Sequence, residues 1–400
     1  MRSSGTTPLL GFFLLSHVFV VASSTWLENA TLALLERCQV TGVGGVQLFT
    51  PDASAFYGAQ WTRDLSYMVQ YAPNLLQQLE RSSSRLLVED AIRYTFQRQR
   101  SDGCMPDRVQ ADGLAVYSPG EVATPFADHA MDNGPFAVKL VVDYSNNWND
   151  TSLFCELEPQ LLKALEFVNK SQTGLAFNDP LHPNCTYGFF DTVAASGSIL
   201  FVSLLLFDAS VGAANLVRLT GCGKAEPYES MALGVALSVD TLFDAQTSLF
   251  LDADMANALP DVWGSAYLVS LGLSTRARRQ QVMNTLASHR TLWQHGQLRH
   301  LPFPLVWEKC FDGECPSPGT YQNGAFWATP LAWTVPALLH YGHEALARSL
   351  AELAASFFEL RSQGNITGIL ECVNTQTPSE GALAYVASAT NIVPLLRLVE

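Results

Sequence analysis

The stretch GAQWTRDLSYM, Gly58–Met68, places Trp61, Arg63 and Asp64 at the threshold of a segment whose apolar residues recur at three- and four-residue spacing. Two readings compete for the charged pair. On an exposed helical face it is an ion couple. Next to an aromatic ring it is half of a polar clamp that holds a ligand at a helix end. The rest of the chain decides between them.

The same spacing recurs in eleven further segments, at 27–40, 85–99, 133–146, 159–170, 196–210, 228–243, 263–273, 275–288, 325–341, 343–360 and 380–398, with the first continuing over 63–80. Twelve amphipathic segments and almost no alternating strand pattern predict an all-α fold. Some neighbours are joined tightly, as at Tyr341–Ala347, whereas Gly-, Pro- and Asp-rich stretches at 101–128, 171–190, 245–262, 290–322 and 362–379 separate others. Long loops in a compact domain are usually binding loops or lids. Six helical hairpins with those loops gathered on one end form an (α/α)6 barrel. A helical solenoid has the same periodicity, but no fixed-length repeat is present.

Residues 1–24 read as a cleaved signal peptide: Arg2, the apolar run Pro8–Ala22, then small Ser23 and Ser24. The run is shorter than the roughly 20 residues that cross a bilayer, and no later segment is expected to be long and apolar enough to span one. Residues 25–400 read as one domain, 48% hydrophobic and 15% charged over the whole chain. The net charge of −14 disfavours nucleic acid and anionic lipid as partners. Five Asn-x-Ser/Thr acceptors, at Asn29, Asn149, Asn169, Asn184 and Asn365, and eight cysteines fit a secreted or lumenal glycoprotein. Cys310 and Cys315 enclose a loop short enough for one disulfide. The spacings of a zinc site are missing, and no cofactor motif is found.

The loops carry a mixed cargo. Asp102 and Asp107 lie in QRSDGCMPDRV; Asp128, His129, Asp132 and Asn133 in FADHAMDNGPF; Tyr187, Phe189, Phe190 and Asp191 before the helix near Val193; Asp261 with Trp263; Tyr321, Asn323 and Trp327 in GTYQNGAFWATP; and Glu371 in GILECVNT. Singly, each has an ordinary explanation as a turn residue, a helix cap or a core aromatic. Together they offer aromatic surface edged by carboxylate, amide and guanidinium groups. A carbohydrate, flat and apolar on its face and rimmed with hydroxyls, requires that mixture.

These motifs resemble those of the six-hairpin glycosidase superfamily, which includes glucoamylases, trehalases and rhamnosidases. WTRD (Trp61–Asp64) resembles the glucoamylase tetrapeptide. QRSDGCMP (Gln99–Pro106) is similar to the usual Gln-x-x-Asp-Gly-x-x-Pro loop, and YGFFDTVAASG (Tyr187–Gly197) to the loop that presents the general acid. YQNGAFW (Tyr321–Trp327) resembles a Tyr-x-Asn-Gly-x-x-Trp helix start, and GILECVN (Gly368–Asn374) falls where a late loop presents the base. The resemblance runs in order from about Trp61 to Ser388.

It implies an (α/α)6 barrel that cleaves a terminal sugar, with inversion, and needs no cofactor. Asp191 would be the general acid and Glu371 the general base, with Asp132 and Glu380 as alternative bases. Trp61, Arg63, Asp64, Asp102, Asp132, Asn133, Tyr187, Trp263, Tyr321, Asn323 and Trp327 would bind the substrate. The Phe189–Phe190 neighbourhood would desolvate Asp191 and raise its pKa. There are departures from the pattern. Glucoamylases have a glutamate where this chain has Asp191, Ala194–Ala195 stand where some relatives place a basic residue, and ECVN lacks the usual partner after the glutamate. The alternatives are an inactive carbohydrate-binding protein, an epimerase using paired histidines (His129, His182, His295 and His300 are available) or a lyase with a basic cleft.

Overall fold

The computed structural model describes residues 25–83, 86–376 and 380–399, and the expected leader 1–24 lies outside them. The described helices are α1 (25–37), α2 (Thr62–Tyr71), α3 (Pro73–Ser83), α4 (Leu87–Phe96), α5 (Asn133–Trp148), α6 (Ser152–Glu166) and α7 (Leu200–Thr220). They continue with α8 (Ala225–Ser238), α9 (Val262–Ser270), α10 (Arg276–Ser288), α11 (Leu331–His340), α12 (Glu344–Ser362), α13 (Val386–Thr390) and α14 (Val393–Val399).

An inner ring runs α2–α5–α7–α9–α11, and the broken helix α13–α14 closes it, with α14 against α11 and α13 against α2. The other helices lie outside. The burial pattern follows from this. Eight of ten residues in α2 are buried, against four of fourteen in α8 and three of thirteen in α10. Inner helices are covered on every side, while outer helices bury one stripe. The closed ring makes this an (α/α)6 barrel rather than an open solenoid.

Helix α7 corrects one expectation. Its 21 residues are long and apolar enough to cross a membrane by composition, yet 72% of its most apolar window is buried in this fold. Its apolar surface is covered by α5, α8 and α9. Inside the ring, Lys139 of α5 lies 2.7 Å from Asp208 of α7, which also accepts a 2.6 Å hydrogen bond from Tyr267 of α9. Three inner helices are thus joined by one partly buried polar knot.

Two of the expected helices break. The 63–80 segment divides at Ala72–Pro73, because a proline supplies no N–H and pushes the preceding residue out of helical conformation. The 380–398 segment begins as a strand, Glu380–Leu383, and becomes helical only at Val386. The short strands were not legible from alternation. Among the described residues, seven antiparallel sheets of two or three strands occur, each strand only two to four residues long. Strands Ala59–Trp61, Gly197–Ser198, Pro260–Asp261, Phe326–Trp327 and Glu380–Leu383 each lead to an inner helix. They hold the inner helix N-termini, and the polar residues beside them, in fixed positions.

Cys310–Cys315 forms the expected disulfide, and a second joins Cys155 to Cys222, linking α6 to the turn after α7. Cys38, Cys104, Cys185 and Cys372 remain buried thiols.

Candidate active site

The N-terminal ends of α2 and α13 border a cavity of about 980 Å³, and Trp61, Arg63, Asp64, Asp191, Tyr321 and Glu371 all line it. Motifs spread from Trp61 to Glu371 therefore meet at one end of the barrel. Loops 101–128, 171–190, 290–322 and 362–379 contribute lining residues, whereas 245–262 contributes none. An unforeseen wall comes from Pro51–Ala59, including Phe56 and Tyr57.

Arg63 and Asp64 begin α2 and are each 3% exposed, so they are no surface couple. They also do not pair with each other. Arg63 Nε lies 3.2 Å from Asp132, and its terminal nitrogen bonds to Asp107. Asp64 accepts a 2.7 Å hydrogen bond from the Tyr385 hydroxyl, and burial raises its pKa to about 6. Asp132 also accepts a 2.9 Å bond from the Gly188 N–H, which fastens the Asp191 loop to Arg63. A Cβ at Gly188 would lie 1.8 Å from Arg63 Nε, so only glycine admits that approach. Trp61 lines the cavity as expected, but the Arg108 guanidinium lies 4.6 Å from its ring centroid, so a cation shares the platform.

Asp191 follows the loop Tyr187–Phe190. Gln322 Nε2 donates to its Oδ1 at 2.6 Å, while Gln322 Oε1 accepts from the Thr192 N–H at 3.0 Å and the Thr192 hydroxyl at 2.7 Å. One amide thus fixes both the carboxyl and the backbone behind it. Asp191 keeps part of its surface open to the cavity, yet it is deep enough that desolvation lifts its pKa to about 7 against the opposing pull of Gln322 and Arg63. Phe189 lines the cavity beside it, and Phe190 packs 5.7 Å from Trp307 beneath the loop.

Glu371 lies in the strand Leu370–Cys372. The Tyr57 hydroxyl is 3.0 and 3.1 Å from its two oxygens, and the Ala382 N–H donates to Oε2 at 2.6 Å. Burial lifts its pKa to about 8, against these two donors. Gly381, with φ +81, keeps that strand clear: a Cβ there would lie 2.2 Å from Glu371 Oε2.

The two carboxyls could divide the work either way, and two observations disagree. Glu371 is lifted higher than Asp191, which alone would make it the better proton carrier. The donors argue the reverse, since both Glu371 oxygens accept hydrogen bonds while Gln322 engages only Oδ1 of Asp191. The donors decide, because fixed N–H and O–H groups suit a carboxylate and an oxygen facing the cavity can carry a proton into it. The geometry thus suits Asp191 to carrying a proton and Glu371 to holding a charge.

Several expected substrate contacts are not in the cavity lining. Asp102 is a surface residue paired with Arg100 and capping its own turn at the Cys104 N–H, the ordinary role of Asp before Gly. Asn133 is spent on the carbonyls of Met105 and Tyr117, and Asn323 on Trp307 and Pro316. Tyr187 is fully buried with its hydroxyl on Tyr67, and Trp263 and Trp327 are core aromatics. Asp132 is fully buried in its ion pair with Arg63, which removes it as an alternative base. The Glu380 side chain lies outside the described positions.

Sequence reasoning passed over Tyr57, Arg108, Gln322 and Tyr385, and noted Asp107 in its loop without a role. Arg108 and Gln322 sit inside the quoted stretches QRSDGCMPDRV and YQNGAFW, so proximity to those motifs was the available signal. Among the described residues, no group of three or more His, Cys, Asp or Glu could hold a metal ion.

No protein-family model and no curated protein matches the chain. Solved structures do. The GH63 mannosylglycerate hydrolase from Thermus thermophilus in complex with glucose matches with a TM-score of 0.66 at 15% identity, over 93% of this chain and 100% of that one. A wild-type glycosidase matches with a TM-score of 0.66 at 14% identity, over 96% and 98%. The rhamnosidase from Klebsiella oxytoca with rhamnose bound matches with a TM-score of 0.64 at 14% identity, over 94% of this chain and 64% of that one. The chain therefore shares its (α/α)6 barrel fold with these solved glycosidases.

Proposed function

We propose that this protein is a glycoside hydrolase that releases a terminal sugar with inversion. One observation carries the reading: Asp191 and Glu371, from loops 180 residues apart, line the same cavity as Trp61, Arg63 and Asp64. The fold shared with solved glycosidases supports it. Asp191 gives its proton to the glycosidic oxygen as the bond to the anomeric carbon breaks. Glu371 takes a proton from a water that attacks that carbon from the opposite face. Asp64, with Tyr385 behind it, accepts from hydroxyls of the terminal sugar.

The other enzyme readings find less support. His300 is buried against Trp263 with its pKa lowered to about 3, and none of the described lining residues is a histidine, which disfavours an epimerase. The two lining arginines are both ion-paired, which disfavours a basic lyase cleft. An inactive sugar-binding protein would use the same clamp.

We place the chain in the secretory pathway. Two disulfides support this, as does the exposure of Asn29, Asn149, Asn169 and Asn365. Asn184 is half-buried and accepts from the His129 N–H, so it is the least accessible acceptor.

The test is an NMR time course on oligosaccharides. Single sugars appearing first with inverted anomeric configuration support the reading. Retained configuration would remove the inverting mechanism, and internal fragments would remove terminal action.

A further inference from the structure

The wall beside Asp191 is built from three separate pieces of chain. Strands Gly120–Glu121 and Thr124–Pro125 form a hairpin, and Gly120, Glu121, Val122 and Phe126 line the cavity. Phe126 stacks on Phe311 with parallel rings 6.2 Å apart. Phe311 belongs to the loop closed by Cys310–Cys315, and its N–H donates to the Thr192 carbonyl at 2.9 Å. The Ala194 N–H donates to the Lys309 carbonyl at 3.0 Å, so the disulfide loop runs along the backbone that carries Asp191. An acid protonates the departing oxygen, so the leaving group lies on the acid's side of the scissile bond. The Phe126 wall is on that side.

The charges lining this cavity are also telling. Asp64, Glu121, Asp191 and Glu371 supply carboxyls, while Arg63 and Arg108 are the cations among the described lining residues. Arg63 is paired with Asp107 and Asp132, and Arg108 with Asp107 at 3.1 Å and the Gly120 carbonyl at 2.6 Å. Neither is left to meet an anionic leaving group.

We propose that Phe126 and Val122 form a leaving-group subsite for a neutral group with an apolar face, either a second sugar ring or an aromatic alcohol, that rejects carboxylate-bearing leaving groups. The proposal rests on the hydrolase reading. Phe311 acts on the subsite by holding Phe126, and the disulfide by holding Phe311.

Isothermal titration calorimetry tests it. The ligands are methyl, phenyl and 4-carboxyphenyl glycosides of glucose, mannose and rhamnose in both anomers, with the matching disaccharides; turnover is measured in parallel. The phenyl glycoside should bind roughly three- to tenfold tighter than the methyl glycoside, the scale of one aromatic contact. The 4-carboxyphenyl glycoside should bind weaker than the phenyl one by about fivefold or more. Phe126→Ala should bring the phenyl-to-methyl ratio towards one, and Phe126→Tyr should preserve it, which separates ring contact from misfolding. Disaccharides that also lose affinity in Phe126→Ala would identify the natural group as a sugar; disaccharides that keep it would point to an aromatic alcohol. A ratio near one in the parent, a ratio that survives Phe126→Ala, or tighter binding of the 4-carboxyphenyl glycoside would overturn the proposal. Selective binding without turnover would remove the hydrolase reading and keep the subsite. No binding of any ligand would overturn both.

Discussion

The hydroxyl of Tyr57 lies 3.0 and 3.1 Å from the two oxygens of Glu371, 314 residues further along the chain. Tyr57 is itself held, because Asp52 accepts from the N–H groups of Ser54, Phe56 and Tyr57 at 2.7, 3.1 and 2.8 Å. A turn early in the chain thus fixes a donor against the Glu371 carboxyl.

Tyr57→Phe removes that donor and leaves the ring. Glu371 loses a group that favours its ionised form, so its pKa rises further and less of the enzyme holds the productive proton arrangement. The expected result is a fall in kcat/KM of about tenfold, with the alkaline limb of the pH profile moved upwards, measured by initial rates between pH 5 and 10. An unchanged limb would mean that Tyr57 does not tune Glu371.

The pH profile of the parent should be a bell. Asp191 titrates at about 7 and Glu371 at about 8, and both belong to one interacting site. Below the pair's range both carboxyls are protonated and no base exists; above it both are ionised and no acid exists. The kcat/KM maximum is expected between about pH 7 and about pH 8. A plateau extending to pH 4 would contradict a base that needs to lose its proton in that range.

Asp191→Asn should stabilise the fold at alkaline pH. The folded-state pKa of about 7 is above the ordinary 3.8, so the fold prefers the neutral carboxyl. The unfolded chain binds fewer protons in the window between those values, and stability is lost as pH rises through it. Below about pH 4 both states are neutral and the variant should melt with the parent. Above about pH 7 the variant should gain on the order of 1–4 kcal/mol, read from thermal melts at pH 4 and 8. A variant that melts lower than the parent at pH 8 would show that the carboxylate is not strained by burial.

Arg63→Met leaves fully buried Asp132 without its cation and fully buried Asp107 with only Arg108. Breaking one side of such a cluster costs about 3–5 kcal/mol, which urea unfolding would register. Arg63→Lys should recover part of that stability, since charge returns without the two-pronged geometry. Equal stability of Met and Lys variants would deny the ion pairs their structural role.

The architecture was legible because each of the twelve periodic segments is a helix, or contains one, and the ring needs only their order. The closure was not, since α13 meeting α2 is a contact between the two ends of the chain. Asp191, Glu371, Trp61, Arg63, Asp64 and Tyr321 were legible through motifs. Asp102, Tyr187, Asn323 and Trp327 share the same motifs, and Asn133 and Trp263 lie in the same kind of loop, yet they serve turns, carbonyls and core. Motif membership says that a residue matters near the site, and only the fold says which way it faces. Tyr57 and Tyr385 escaped because a tyrosine in an apolar stretch reads as packing until its hydroxyl is seen to reach a carboxylate.

The most direct test is sugar release by the purified protein from a panel of α- and β-linked disaccharides and 4-nitrophenyl glycosides, run beside Asp191→Asn and Glu371→Gln. The account predicts turnover by the parent and a loss of about a hundredfold or more in each folded variant. Turnover that survives both substitutions would contradict the assignment of these two carboxyls as acid and base.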